Sequence, residues 1–223
     1  MFRQRNSVAD AVLGRRSVRA FLPRGVDRAS VEALLALAAR APSGGNLQPW
    51  RVDVLSGGPL AALKADAAAS APAGMELTVY PSPLAEPYRT RRHRSGEALY
   101  EAIGIPREDR PARLAQFARN FEAFGAPVLL LFSIDRAFDR PQWAHLGMFM
   151  QTLMLLAEER GLATCAQEAW AALPAVVARH IELPAERILY CGMALGHPDP
   201  EAAINGLRTE REPVEAFATF RGL

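Results

Sequence analysis

Apolar positions recur along the chain in two rhythms, one of 3.6 residues and one of 2, and the points where they switch predict the elements. Val8, Ala11 and Val12 fall at helical spacing behind Ser7, a good N-cap, and predict a short helix over residues 6–13. The polar, basic GRRSVRAF that follows predicts a loop or extended segment. Val31, Leu34, Leu35 and Ala38 form one face of a second helix over 30–40, which Pro42, Gly44 and Gly45 end. RVDVL alternates as a strand, and the Ala-rich 60–70 returns to helix. Residues 71–96 combine Pro72, Pro81, Pro83 and Pro87 with a dense arginine run and predict a long loop, either functional, as a substrate loop, or disordered. Beyond a short helix at 97–103, Leu114, Phe117, Ala118, Phe121 and Phe124 predict a helix over 113–124, stopped by Gly125 and Pro127. VLLLFSI is the apolar run of a buried strand. Residues 142–160 are helical with apolar residues on more than one face, the pattern of a domain centre or subunit interface. LATCA and ILYCGMAL predict two short buried strands around a helix at 175–181, with Pro174 in its first turn. The tail from Asn205 is polar and ends in FATF. There is no repeat or linker, so residues 1–223 are expected to form one domain.

Composition narrows the class. The 223 residues are 50% hydrophobic and 22% charged, as in globular proteins, and suffice to bury a core without disulfides or metals. The longest apolar windows, 126–134 and 146–157, fall well short of the roughly 20 residues of a membrane span. The first residues lack a signal-peptide pattern, and the expectation is a cytoplasmic protein without a membrane segment. Cys165 and Cys191 are too few for a disulfide framework and lack CxxC spacing. Of the 26 basic residues only Lys64 is a lysine, yet net charge is +2, which argues against nucleic-acid binding.

The common catalytic motifs are missing. No GxGxxG follows a strand, and GxxxxGK[ST], HExxH, GxSxG and zinc-type spacing are absent, so no metal is expected. His93, His145, His180 and His197 are scattered. What stands out are three groups: Arg15, Arg16, Ser17 and Arg19; Pro42, Ser43, Gly44, Asn46 and Gln48; and Arg208 with Arg211. Guanidinium forks and hydroxyls suit a phosphate monoester, and amides suit the edge of a heterocycle, so together they fit a nucleotide-like ligand. Taken singly, each arginine also reads as a solvated surface residue.

In RRSVRAF (15–21), APSGGNLQPW (41–50), FGAPVLLLF, LGMFMQTLMLLAEERGLATC, CGMALG and RTEREPVEAF the sequence resembles the FMN-dependent nitroreductase family. The likeness covers most of the chain, with 56–96 weakly matched. It implies an α+β sandwich: a central mixed, mostly antiparallel sheet flanked by helices, in an intertwined homodimer with two FMN sites at the interface.

By the same resemblance, Arg15, Arg16 and Ser17 would hold the FMN phosphate and ribityl chain, with Arg211 and Arg208 closing on the phosphate. Arg19 would face the flavin pyrimidine, where a cation stabilises charge developing on reduction. Pro42, Ser43, Gly44 and Asn46 would come from the other subunit, with Gln48 supporting their loop. Gln167 and Glu168 lie in the stretch that passes the reactive flavin edge; Glu168 reads equally as a helix-start residue. No side chain is expected to be catalytic, since hydride transfer belongs to flavin N5. The implied reaction is ping-pong reduction of a nitroaromatic or quinone-like acceptor by NADH or NADPH. Independently of the resemblance, Arg89 and Arg92 of the arginine-rich run read either as partners of an anionic acceptor such as a nitrobenzoate or as a charged, solvent-exposed loop, and Phe124 reads as a border of that acceptor or as core packing. Enone reduction, dehalogenation, azoline oxidation, flavin breakdown and FMN binding without turnover remain open alternatives.

Overall fold

A computed structural model describes residues 7–70 and 80–222. Helix α1 (Val8–Gly14) starts at Ser7, whose hydroxyl accepts the Asp10 N–H, as expected of that cap. Helix α2 (Arg28–Ala38) is capped by Asp27. Strand β1 (Arg51–Ser56) runs directly into α3 (Gly57–Ser70), and α4 (Tyr88–Ala102) and α5 (Arg110–Ala118) follow. Strand β2 (Val128–Asp135), helix α6 (Arg140–Glu159), strand β3 (Ala163–Gln167), the single turn α7 (Pro174–Val177) and strand β4 (Arg187–Gly196) complete the described core.

The strands form one sheet in the order β1-β2-β4-β3, all neighbours antiparallel. The parallel component is the bridge of Ser17 to Thr164 on the outer edge of β3. Strand β2 is apolar from Val128 to Phe132 and again at Ile134 because both its faces are covered. Leu129 and Leu131 pack with Leu60, Leu63 and Trp170 on one face; Leu130, Phe132 and Ile134 pack with Leu34, Leu146, Phe149 and Leu153 on the other. The sheet is thus the middle of three layers, and α6, with its wide apolar surface, covers its Leu130 face.

Three predicted elements differ. The helix over 113–124 gives way to α5 and a 3₁₀ turn, Arg119–Gly125, in which Ala123 and Phe124 have φ of 50° and 53°. Left-handed residues cannot continue a helix, and here they turn Phe121 and Phe124 into the core. The predicted loop at 71–96 contains the start of α4 from Tyr88 onward, while 71–79 lie outside the described residues. The helix at 175–181 is only the turn α7. No helix among the described residues is long and apolar enough to cross a membrane.

The layer on the Leu129 face is clamped at its rim by Asp66 of α3, which accepts hydrogen bonds from Arg179 at 3.0 Å and faces His180 Nε2 at 3.0 Å. Arg179 and then His180 lower the Asp66 pKa from 3.8 to about 2. A depressed carboxylate stabilises the fold above its unfolded value, and that contribution is lost as pH falls through the folded one. Asp66→Asn is therefore expected to lower the thermal midpoint at pH 7, with the difference from the parent closing toward pH 2. An equal difference at both pH values would refute the clamp.

Candidate cofactor cleft

The basic segment after α1 is held as an extra, short edge on the sheet. Val18 donates its N–H to Thr164 O (3.0 Å), Leu22 to His197 O (2.9 Å) and Phe21 to Phe124 O (3.3 Å). Val18, Ala20 and Phe21 are buried, so their polar neighbours Arg15, Arg16, Ser17 and Arg19 remain partly open to solvent. Behind this segment lies Asn205, only 2% exposed. Its Oδ1 accepts the Arg19 N–H (2.9 Å), its Nδ2 donates to Ala20 O (2.8 Å) and Asp199 O (2.9 Å), and its backbone carbonyl accepts Arg16 Nε (2.6 Å). One buried amide thus sets the N-terminal segment against the C-terminal one.

Between them opens a cleft of about 580 Å³, bordered by Arg15, Arg16, Ser17, Arg19, Gln151, Arg208, Thr209 and Arg211, with Val12, Leu13 and Leu207 as its apolar wall. Five guanidinium groups and no carboxylate line it. Such a donor set is matched by a dianion, because the arginines repel one another unless counter-charge lies among them. Arg211 is shaped locally by bonds to Thr209 Oγ1 (2.7 Å) and Glu210 O (2.8 Å). Cys165 lies behind the cleft; burial pushes its thiol up to about 11, with Arg19 and Ser17 opposing weakly.

The cleft therefore joins the first and third sequence groups, and the second stands apart. In that turn Gly45, Asn46 and Gln48 have φ of 60°, 55° and 48°. The tight path is closed by Ser43 Oγ, which accepts the Gln48 N–H at 3.0 Å, and by Gln48 Nε2 donating to Asn46 O at 3.2 Å. Gln48 thus supports the loop from within. Pro42 and Gly44 to Gln48 are exposed and Ser43 is half-buried; none borders the cleft of its own chain. The Gly44 N–H donates to His145 Nε2 (3.3 Å) on α6, whereas Gln151 of α6 faces the cleft. Six helical residues separate these positions by about 9 Å and about 120° of rotation, so turn and cleft sit on different faces of α6.

The remaining expected residues are dispersed. Gln167 is buried and donates to Asn120 O (2.7 Å), while Glu168 points outward at the end of β3, its carboxyl pKa raised by partial burial. Arg89 is paired locally with Glu86 (2.7 Å), and Arg92 lies over the Tyr80 ring at 4.5 Å. Phe124 is 2% exposed in the core, which places it among the packing residues and away from any open site. Asn205 and His145 carried no signal in the sequence, and Gln151 and Thr209 lay inside matched motifs without being singled out. Their roles depend on backbone partners and on neighbours far along the chain, which a motif does not record.

Three comparisons bear on this arrangement. The model of the nitroreductase family matches residues 12–197. A 4-nitrobenzoate reductase of Pseudomonas putida is 39% identical over 216 residues, spanning 96% of this chain and 95% of its own. A nitrobenzene nitroreductase of Ectopseudomonas oleovorans is 35% identical, spanning 96% of each. Among solved structures, the FMN and NADPH-dependent nitroreductase NfnB from sphigopyxis sp. strain HMH superposes with a TM-score of 0.93 at 42% identity, covering 98% of this chain and 100% of that one. Cleft, fold and sequence converge: the chain belongs to the nitroreductase family.

Proposed function

We propose that the protein is an FMN-dependent oxidoreductase that uses NADPH or NADH to reduce nitroaromatic compounds, with a nitrobenzoate as its acceptor. The observation that carries this reading is the cleft of five arginines without an acid, which fits the phosphate end of FMN. FMN, when bound, supplies the chemistry, taking a hydride from the nicotinamide and passing reducing equivalents to the acceptor. In this reading Arg15, Ser17, Arg208 and Arg211 bind the phosphate. Arg16, tied to the Asn205 carbonyl, braces the lip, and Arg19 places positive charge beside the ring system.

A homodimer completes the site. The exposed turn 43–48 cannot serve the cleft of its own chain, so a second copy would bring it there. Val8, Val12 and Leu13 of α1, Leu47 of the turn and Met148 of α6 are exposed apolar residues that such a contact would cover. A cytoplasmic setting fits the two free, buried cysteines and the nicotinamide donor.

The carboxylated acceptor is favoured by Arg92. Its neighbours on α4 are paired, Arg91 with Glu212, Arg94 with Glu210 and Arg89 with Glu86, whereas Arg92 rests on an aromatic ring. The name of the relative from Pseudomonas putida agrees with that chemistry. The purified protein is expected to show flavin absorption that bleaches anaerobically with NADPH or NADH and returns with 4-nitrobenzoate. Arg92→Ala should lower kcat/KM about tenfold for 4-nitrobenzoate and little for nitrobenzene. Equal losses would end the proposal of anion pairing; protein that stays colourless after incubation with FMN would end the flavin assignment.

A further inference from the structure

Within one chain, the tail that carries Arg208 and Arg211 has no apolar packing to hold it. Every residue from 208 to 217 is exposed, so burial does not fix this segment over the cleft. Two ion pairs to α4 tie it down instead: Arg91 Nε to Glu212 Oε1 at 2.9 Å, and Arg94 Nη1 to Glu210 Oε2 at 3.5 Å. Their geometry is matched. Arg91 and Arg94 are neighbours one turn apart on a helix, about 5–6 Å between Cβ atoms, and residues i and i+2 of an extended chain are spaced by about 6.5 Å. The pairing is antiparallel, and it leaves Arg208, Thr209 and Arg211 to border the cleft.

Helix α4 is itself fixed electrostatically. It has no buried residue, but Glu97 holds Arg113 of α5 through two bonds, 2.7 and 3.0 Å, and the same guanidinium lies 4.2 Å from the centre of the Tyr100 ring. A chain of charge contacts therefore runs from α5 through α4 and the tail to the cleft.

We propose that Arg91 and Arg94 are positioning residues for the cofactor phosphate: through Glu212 and Glu210 they hold the tail so that Arg208 and Arg211 stand over the cleft. This rests on the FMN reading of the cleft. Neither α4 arginine borders the cleft, so both act through the tail. Exposed pairs are weak singly and are screened by salt, which makes the strap adjustable where a buried anchor would not be.

The test is a charge swap read by flavin binding. Dissociation constants for FMN and for riboflavin, which lacks the phosphate, would be measured for the parent, Arg91→Glu, Glu212→Arg, the double swap and Arg91→Lys. Arg28→Glu, an equal change of charge on α2, is the control. Arg91→Glu should weaken FMN about tenfold and leave riboflavin unchanged; the double swap and Arg91→Lys should restore most of the loss, and the control should do little. Amide hydrogen exchange over 208–216 should rise in Arg91→Glu and return in the swap. Unaltered FMN affinity in Arg91→Glu, failure of the swap to restore it, or an equal effect of Arg28→Glu would overturn the proposal. A parent that binds neither flavin would instead refute the FMN reading, and unchanged exchange over 208–216 would then refute the strap by itself.

Discussion

Gly192→Ala is expected to destabilise the protein by about 3 kcal/mol or more, lowering the thermal midpoint by about 6–12 °C. A Cβ at this position would stand 2.2 Å from Cδ1, 2.9 Å from Cγ and 3.0 Å from Nε1 of Trp170. Neither side is able to give way cheaply. Gly192 lies in β4, paired with Leu131 on one side and Gln167 on the other, so its backbone is fixed by two neighbouring strands. The Trp170 indole is fully buried and meets Phe121 edge-on at 5.6 Å, which leaves the ring nowhere to swing. Thermal unfolding of Gly192→Ala measures the effect. Adding Trp170→Phe should recover part of it, because the smaller ring removes the nearest atoms; strictly additive losses would show that the clash is not with the indole. The damage would also reach the end of β3, since Trp170 belongs to the 3₁₀ turn Glu168–Ala172 that follows Gln167.

The second large effect is expected at Asn205. Its amide satisfies one N–H and two carbonyls that water cannot reach readily, and an acid of the same shape removes both donors. In Asn205→Asp a carboxylate would face the oxygens of Ala20 and Asp199, at a cost of about 3 kcal/mol at neutral pH. FMN affinity should fall with stability, because repulsion at Ala20 O pushes the segment that carries Arg16 and Arg19 away from residue 205, although the acceptors of both arginines are kept. The pH dependence has a defined sign. The new carboxyl is stabilised in its neutral form, so its folded pKa is raised, and the variant keeps its stability below about pH 4 and loses it as pH rises through the raised value. Urea unfolding at pH 4 and pH 7 checks this. A penalty that does not shrink on acidification would mean that the side chain escapes the buried position.

How much of this was readable beforehand differs from element to element for physical reasons. The strands VLLLFSI and ILYCGMAL and the helix around Phe149 were legible because burial on one or two faces leaves a periodic apolar trace. Helix α4 was not. It buries no residue, so it has no apolar stripe, and although its second half was expected as the short helix at 97–103, YRTRRHRSG reads as a polar loop unless the carboxylates that pair with its arginines are known. The helix expected through Phe124 failed for the opposite reason. Apolar spacing was kept, but Ala123 and Phe124 adopt left-handed backbone that only their packing enforces. In the cleft, the arginine groups were visible as residue types, and the structure joined those at 15–19 with those at 208–211. Asn205 was invisible because its partners are backbone atoms and one guanidinium, none of which leaves a pattern in side-chain chemistry.

The two lips of the cleft are joined by the Arg16–Asn205 bond across 189 residues of chain. On a ribosome the first lip is made about 10–40 s before the second, at about 5–20 residues per second. Strands β1 and β2 are both synthesised before β3, β4 and the tail. A nascent chain therefore has the beginnings of a core and half of an anion site. If the cleft holds the cofactor phosphate as proposed, its grip is complete only once Arg208 and Arg211 have been made and folded back, and cofactor uptake then follows late. On that reading, flavin colour in a freshly made preparation would report chains synthesised past Arg211.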